Sequence, residues 1–438
     1  MDSCKEFEEI INRTKRINVK LRQELFSVTP KLAGIRKIPF HGTMINGMPT
    51  ESLGPFPEFI LPTHPCAKTL QGYCSPCFFS KVPMSSRSSK EVYDSLLVQT
   101  EFIVKNFDDI VINYQARGDV LKDIYDVTFC YACNGSLFSN TETTQKTRYI
   151  AFKMLADEIE RRRIKPLVYL ETCVSDYIRF LKSDEFNVLY PLLKKLNAVI
   201  LFGFESSNSI TRNLIYLKDL SLSDFEYVIS KNSELGIASG AFLYLGFHSM
   251  TQNEILNDAI NSIRYLTSKN VMPVLMFPNI HEYTLTHLLY TYDRYNLIDP
   301  QTALKIFSFA QDITSNNKYF SENRCDQWLM GDLFGGPPPP PNNFFNNKNK
   351  ISCDKCSELI RKTLQHARQN HCLYKIEDIE SAISVCNENC ITKYLDFIKK
   401  EELEFQDVSL IDRIMSNITF AENHCDEYLN NIKQIKVV

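Results

Sequence analysis

Six short apolar stretches, each followed by residues at helical spacing, run through residues 58–314 of this 438-residue chain. They are 58–62, 126–132, 166–171, 197–205, 237–246 and 271–277. The fourth, NAVILFGFE, is apolar almost throughout, as a strand buried on both faces must be. Between them, apolar residues at i, i+3 and i+4 predict helices over about 88–106, 145–163, Ser175 to Lys182, 222–235 ending at Gly236, 251–269, and a helical region over 281–314. This alternation predicts an α/β fold, a parallel sheet wound with helices on its outside. Six units fall short of a complete eight-fold barrel. In β/α folds of this kind the chemistry gathers where the strands end, so those ends are the places to read next.

The first strand runs into EFILPTHPCAKTLQGYCSPCFFS, where Cys66, Cys74 and Cys77 are spaced C-x7-C-x2-C. Thiolates are soft ligands that suit zinc, copper or iron–sulfur iron. A structural zinc takes four protein ligands, and an ordinary low-potential cluster takes four cysteines. Three thiolates with no fourth beside them fit an iron–sulfur cube with one iron left open to a small molecule. The alternative is three unrelated cysteines in a loop that Gly72 and Pro76 turn.

The fourteen cysteines bear on compartment as well as chemistry. The chain opens MDSCKEFEEI with charge from its second residue, and no apolar run reaches the roughly 18 residues that a membrane helix needs. A cytoplasmic protein with reduced thiols is expected, in which clustered cysteines mean metal rather than disulfides. The net charge of −3 does not announce a nucleic-acid binder. Two local basic clusters, Arg13 to Arg22 and Arg161 to Lys165, read either as solvated helix faces or as phosphate-tracking patches.

A three-cysteine loop after the first strand of a β/α chain resembles the radical S-adenosylmethionine (SAM) superfamily. Its first gap is longer than the usual C-x3-C-x2-C, as in the subgroup related to the radical domain of the Elongator catalytic subunit and to the archaeal enzyme of tRNA archaeosine formation. The resemblance spans about residues 55–315. It implies a partial (β/α)6 TIM-like barrel, a 4Fe–4S cluster on Cys66, Cys74 and Cys77, and SAM on the open iron. Reductive cleavage of SAM to a 5′-deoxyadenosyl radical, which abstracts a hydrogen atom from substrate, is the implied reaction.

The resemblance also implies roles for residues at the strand ends. Asn134, Gly135 and Ser136 match the turn that binds the amino group of SAM, although alone N-G-S is only a turn. Glu171 and Glu205 end strands three and four, and the string G-x-E-S around Glu205 is similar to a motif lining the SAM and substrate pocket. Ordinary capping carboxylates are the alternative. Gly246 matches the fifth-strand glycine, whose missing side chain lets a ligand approach. Phe79, with Phe78, could stack on adenine or merely cover the cluster. Arg212 and Lys218 stand where the family often has a basic residue near substrate; a lysine exposed on a helix is the default. Cys130 and Cys133 also read C-x2-C, but residues three apart on a strand point to opposite faces and cannot easily share a metal.

Four more cysteines lie near the C-terminus, Cys353, Cys356, Cys386 and Cys390. Both pairs are expected on helices, the second with its thiols on one helical face. Together they offer four ligands, for zinc or for an auxiliary iron–sulfur cluster. Five prolines at 337–341 with asparagines after them separate this region from the barrel. The expected organisation is an N-terminal helix and approach over 1–57, the barrel over 58–315, a linker over 316–352 and a helical metal-binding module over 353–438. Acetyl transfer, which the Elongator subunit adds, has no room here. The resemblance implies tRNA modification, with an electron donor of flavodoxin or ferredoxin type and a tRNA or a substrate-delivering protein as partners. The same chemistry on a peptide or small metabolite is an alternative, and so is a non-enzymatic metal-binding interaction protein.

Overall fold

The computed structural model describes residues 2–33, 58–60, 66–77, 95–108, 126–132, 135–278, 280–319, 351–370, 376–386 and 388–435. Phe78, Phe79, Cys133, Asn134 and most of the expected linker lie outside them.

The chain begins with helix α1 (Asp2–Ala33), then β1 (Glu58–Ile60), the single turn α2 (Ala67–Leu70) and α3 (Ser95–Lys105). Next come β2 (Asp126–Ala132), α4 (Gln145–Arg162), β3 (Lys165–Thr172), α5 (Val174–Leu181), α6 (Asp184–Lys195) and β4 (Ala198–Gly203). A five-residue π-helical turn, Thr211–Ile215, precedes α7 (Leu222–Leu235). Then follow β5 (Ala238–Tyr244), α8 (Gln252–Ser268), β6 (Met272–Met276), α9 (Leu285–Thr291) and α10 (Pro300–Ser315). The tail holds α11 (Asp354–Asn370), α12 (Ile376–Ser384), α13 (Cys390–Phe405) and α14 (Leu410–Ile435).

The six strands pair in parallel in their sequence order, β1-β2-β3-β4-β5-β6. In-order parallel strands joined by right-handed crossovers carry their helices on one face. The other face is buried as well: Leu167 and Tyr169 of β3, Val199 and Leu201 of β4, and Met272 and Val274 of β6 make a small core of their own. A sheet with helices on one side alone buries its other side by curling on itself, which is the logic of a partial barrel.

Local sequence explains most boundaries. Gly236 ends α7 with φ of +63°, a left-handed conformation that glycine adopts freely. Thr251 and Glu254 form a reciprocal capping box that starts α8. Asp299 caps α10 and Pro300 takes its first position, so the helical region expected over 281–314 is two helices divided by a loop. Helix α6 was not anticipated, although acids Asp184 and Glu185 in its first turn and Lys194 and Lys195 in its last match the helix dipole.

The tail does not keep its apolar face to itself. Cys356, Ile360, Ile383, Ile414 and Tyr428 belong to the same hydrophobic core as the barrel helices and α1. Helix α1 buries Ile10, Thr14, Ile17, Asn18, Leu21 and Leu25 along one stripe. Its charged flank meets α14, where Arg13 pairs with Glu422 at 2.6 Å and Lys20 with Asp426 at 2.7 Å. In the basic run from Arg13 to Arg22, Arg13 and Arg22 are turned inward while Arg16 and Lys20 stay exposed. In the run at Arg161, Arg161 and Arg162 both pair with Glu158, and Arg162 also with Asp108, while Arg161 and Arg163 face solvent.

One buried ion pair sits among the helices. Arg148 is fully buried and forks onto Glu185, 7% exposed, at 2.7 and 2.8 Å, while Nη1 donates to the Thr143 carbonyl at 2.6 Å. Removing one member of such a pair strands the other charge out of water. Arg148→Met is expected to destabilise the fold by about 3–5 kcal/mol, read as a lower urea midpoint, and Arg148→Met/Glu185→Leu is expected to recover much of the loss. A single variant within 1 kcal/mol of wild type would contradict this.

Candidate functional site: a three-cysteine loop and a four-cysteine tail

The cysteine loop is gripped from two sides. Cys66 caps α2, and the chain then turns through Gly72 at φ +87° and Cys74 at φ +56°. Gly72 is required twice over, because a Cβ there would also lie 2.6 Å from the Lys15 carbonyl oxygen of α1. The Cys77 amide donates back to the Cys74 carbonyl at 2.9 Å, closing the C-x2-C turn. On one side the amides of Cys74 and Ser75 donate to the carbonyls of Leu217 and Tyr216, at 3.0 and 2.9 Å. Leu217 presents its carbonyl from a left-handed conformation just past the π-helical turn. Such turns are frequent at functional sites.

From the other side α1 reaches in. Asn18 Nδ2 donates to the Gly72 carbonyl at 2.8 Å and the Ser75 hydroxyl at 3.1 Å. Arg22 donates to the carbonyls of Thr69, Tyr73 and Cys74.

Behind Cys66 stands the turn that follows β2. A Cβ on Gly135 would lie 2.8 Å from Cys66 Cβ and 2.5 Å from Glu142 Oε1, so only glycine fits between them. Ser136 is fully committed: its amide donates to Glu142 Oε1 at 3.0 Å, and its hydroxyl bonds Thr172 Oγ1 at 2.7 Å. Ser136 therefore builds the turn and ties it to the end of β3. Glu171 lies half-buried in β3, paired in register with Leu201.

Sequence reasoning missed Cys173, directly after β3. Its thiol donates to the Gly135 carbonyl at 3.1 Å and bonds Cys66. The bond from Cys173 is the main cause that lowers the Cys66 thiol to about 5, with the amides of Thr69 and Lys68 helping. The same bond, then burial, pushes Cys173 up. Burial drives Cys74 up to about 12, and the neighbouring Cys77 and Cys66 add to it. In β/α chemistry only tertiary structure brings such a strand-end thiol to a distant loop, so no spacing in the sequence announced it.

Glu205 occupies the end of β4 with φ of +72°, a conformation non-glycine residues seldom take. Its amide donates to the Phe242 carbonyl at 2.7 Å. Its carboxylate accepts from Lys218 Nζ at 2.7 Å, and Gly203 makes room for that ammonium, since a Cβ there would collide with it. Burial opposes the charge on Lys218, but Glu205, Cys74 and Cys173 outweigh it and hold the ammonium above the ordinary lysine range. Lys218 is thus a partly buried cation, 17% exposed, beside thiols and not the exposed helical lysine of the default reading. Tyr216, Tyr244 and Phe247 form an edge-to-face aromatic group beside this pair. Two of the three flank Gly246 in LYLGF, a signal that reading the glycine alone passed over.

Arg212 is 2% exposed; its Nε donates to the Leu220 carbonyl at 3.0 Å and its Nη1 to the carbonyls of Ser206 and Ser207, at 2.8 and 3.2 Å. It braces the loop after β4. Gly246 does need to be glycine, at φ +84°, but the space its Cβ would fill borders Ile298 and Pro278 rather than a ligand pocket.

The tail cysteines converge. The thiols of Cys353, Cys356, Cys386 and Cys390 all lie within 4.8 Å of one another. Cys386 stands 3.7 Å from both Cys353 and Cys390. The second pair does not share a helical face: Cys386 follows α12 in a turn, Asn389 is left-handed, and Cys390 opens α13. Each pair meets the metal position from the start of a helix, where free amides favour thiolate charge. The Cys353 amide donates to Cys390 Sγ at 3.3 Å and the Cys356 amide to Cys353 Sγ at 3.4 Å.

Spacing bears on the chemistry of the tail. A tetrahedron of thiolates about 2.3 Å from one zinc has edges of about 3.8 Å, which the tail matches. Thiols gripping the corners of a cube of four irons must stand farther apart. Among the described residues, the tail cysteines are the group that gathers tightly enough to hold one metal ion. In the loop, Cys77 and Cys66 lie close enough to raise Cys74. The tail has the tight set that one ion wants.

No protein-family model matches the chain, and no curated protein matches it in sequence. Among solved structures it is similar to a queuine lyase from Clostridium spiroforme bound to SAM and queuine, at 18% identity over 51% of this chain and 75% of that one, with a TM-score of 0.29. It is also similar to the radical SAM methyltransferase TsrM from Kitasatospora setae with cobalamin and a 4Fe-4S cluster bound, at 12% identity over 51% of this chain and 37% of that one, with a TM-score of 0.30. Likeness at these scores carries no chemistry across to this chain.

The spacing argument is open to direct measurement. With Cys66, Cys74 and Cys77 all replaced by alanine, the chain is expected to purify with one zinc and no iron, and Cys386→Ser is expected to abolish that zinc and lower the melting temperature. Iron and sulfide retained in the triple variant would contradict the assignment of the tail to a single ion.

Proposed function

We propose that this chain is a radical SAM enzyme whose cluster is held by Cys66, Cys74 and Cys77. The observation that carries the reading is the three-thiol loop after β1, set between the buried guanidinium of Arg22 and the partly buried ammonium of Lys218, in a protein whose other cysteine group is drawn tight around a single-ion position. The donor set fits: three soft ligands in one loop, a fourth thiol, Cys173, bonded to the first of them with its own proton held by that bond and by burial, a glycine pressed against that same cysteine, and positive charge to balance an anionic group. When bound, a 4Fe–4S cluster with one iron open to SAM supplies the electron that starts hydrogen abstraction. The chain's own work is placement. The Gly135–Ser136 turn shapes the wall behind Cys66, and Glu171 stands at the end of β3. Glu205, held in place by Lys218, offers a carboxylate for the ribose or ammonium of SAM, and Tyr216, Tyr244 and Phe247 keep that side dry. The tail holds zinc in a structural role, and a flavodoxin- or ferredoxin-type protein delivers electrons.

We further propose a modified base of tRNA as substrate, on the strength of the cysteine spacing and the strand-end motifs. A second reading, the same chemistry on a small metabolite, is favoured by one observation: several cations of the two basic clusters are already paired with carboxylates of the chain, Arg13 with Glu422, Lys20 with Asp426, and Arg161 and Arg162 with Glu158.

Anaerobically reconstituted protein reduced with dithionite is expected to convert SAM to 5′-deoxyadenosine, and Cys66→Ala to abolish this while leaving the tail zinc in place. No 5′-deoxyadenosine from a chain carrying its full iron would refute the enzymatic reading. Binding of tRNA that weakens steeply as salt rises supports the tRNA substrate, and salt-independent or absent binding moves the substrate to the small-molecule class.

A further inference from the structure

We propose that Arg22 of the N-terminal helix is a positioning residue for the group on Cys66, Cys74 and Cys77: it fixes the backbone of their loop and supplies the charge that sets that group's reduction potential. The inference rests on the cluster reading above and concerns a residue outside the barrel.

Arg22 is 3% exposed. Nη1 donates to the Thr69 and Tyr73 carbonyls at 2.5 and 2.8 Å, and Nη2 to the Cys74 carbonyl at 2.7 Å. The Cys74 carbonyl also accepts the Cys77 amide, so the guanidinium holds the oxygen about which the C-x2-C turn is folded. Among the described residues no carboxylate bonds Arg22. A guanidinium buried with only carbonyl partners is costly, because dipoles do not neutralise a full charge. The acidic groups that act on it are Cys77, Cys74 and Cys66, in that order, and then Tyr216. A buried cation whose foremost acidic neighbours are three thiols is explained if those thiols carry an anionic group.

The placement is also mechanically fixed. One turn of α1 nearer the N-terminus, Asn18 holds Gly72 and Ser75, and on the helix's other flank Arg13 and Lys20 pair with Glu422 and Asp426 of α14. Arg22 thus reaches the loop from a rigid element anchored to the tail. Its charge acts in one direction. Accepting an electron makes the group more negative, a nearby cation favours the reduced form, and the potential rises. Removing the cation must lower it.

Wild type, Arg22→Met and Arg22→Lys are reconstituted anaerobically with iron and sulfide, and the midpoint potential is read by electron paramagnetic resonance during dithionite titration. Hydrogen exchange of residues 66–77 is followed in the metal-free chains. The expected result is a more negative midpoint in Arg22→Met, a midpoint near wild type in Arg22→Lys, and faster exchange of the loop in Arg22→Met. Equal midpoints in all three proteins, even with a loosened loop, overturn the inference, since Arg22 is then a plain structural residue. If Arg22→Met holds no iron, the lysine variant and the exchange data decide: loop protection unchanged from wild type, or a lysine midpoint well below wild type, overturns it. A wild-type chain that takes up no cluster refutes the radical SAM reading itself, an outcome visible before any variant is compared.

Discussion

The molecule depends on a loop that cannot hold its own shape. Residues 66–77 contain one helical turn, two left-handed residues and three thiols, with little apolar surface to bury. Two clamps give the loop its form. The segment after the π-helical turn takes the amides of Cys74 and Ser75, and α1 takes the carbonyls of residues 69, 72, 73 and 74. Backbone groups that would otherwise need water are satisfied by protein. Electrostatics completes the arrangement. Lys218 and Arg22 bring positive charge to within reach of the thiols, and Glu205 is tied to Lys218 at the same strand ends.

The tail matters because α1 needs a surface to lie on. Helix α14 supplies it, through Arg13–Glu422, Lys20–Asp426 and Lys433–Glu24 as well as apolar packing. Helix α14 follows α13, and α13 begins at Cys390, one of the four tail thiols. The order of the tail is thereby passed to the N-terminal helix and from it to the cysteine loop. Two sulfur sites far apart in sequence are thereby linked through the helices, the tail thiols where four cysteines gather and the loop thiols where α1 ends its reach.

The strands were legible because a parallel strand buried on both faces is a nearly continuous apolar run, and AVILFG in β4 is such a run. The stop at Gly236 was legible because its chemistry is local. What escaped was decided by contacts across the fold. Cys173 becomes a neighbour of Cys66 only when β3 is laid beside β2. Arg22 looked like one more member of a basic run until α1 was turned over the loop. The second tail pair was assigned to one helical face from its four-residue spacing, whereas a turn at Asn389 does the work of bringing the thiols together. In each miss a local pattern was read correctly as a residue type and wrongly as a partner.

The central claim is that one corner of a four-iron cluster is left to a small molecule. Mössbauer spectroscopy of the chain reconstituted anaerobically with 57Fe, with and without SAM, tests it most directly. The account predicts one iron site of four whose parameters change when SAM is added, with three unchanged. Four equivalent irons indifferent to SAM, or no cluster signal at all, would contradict it.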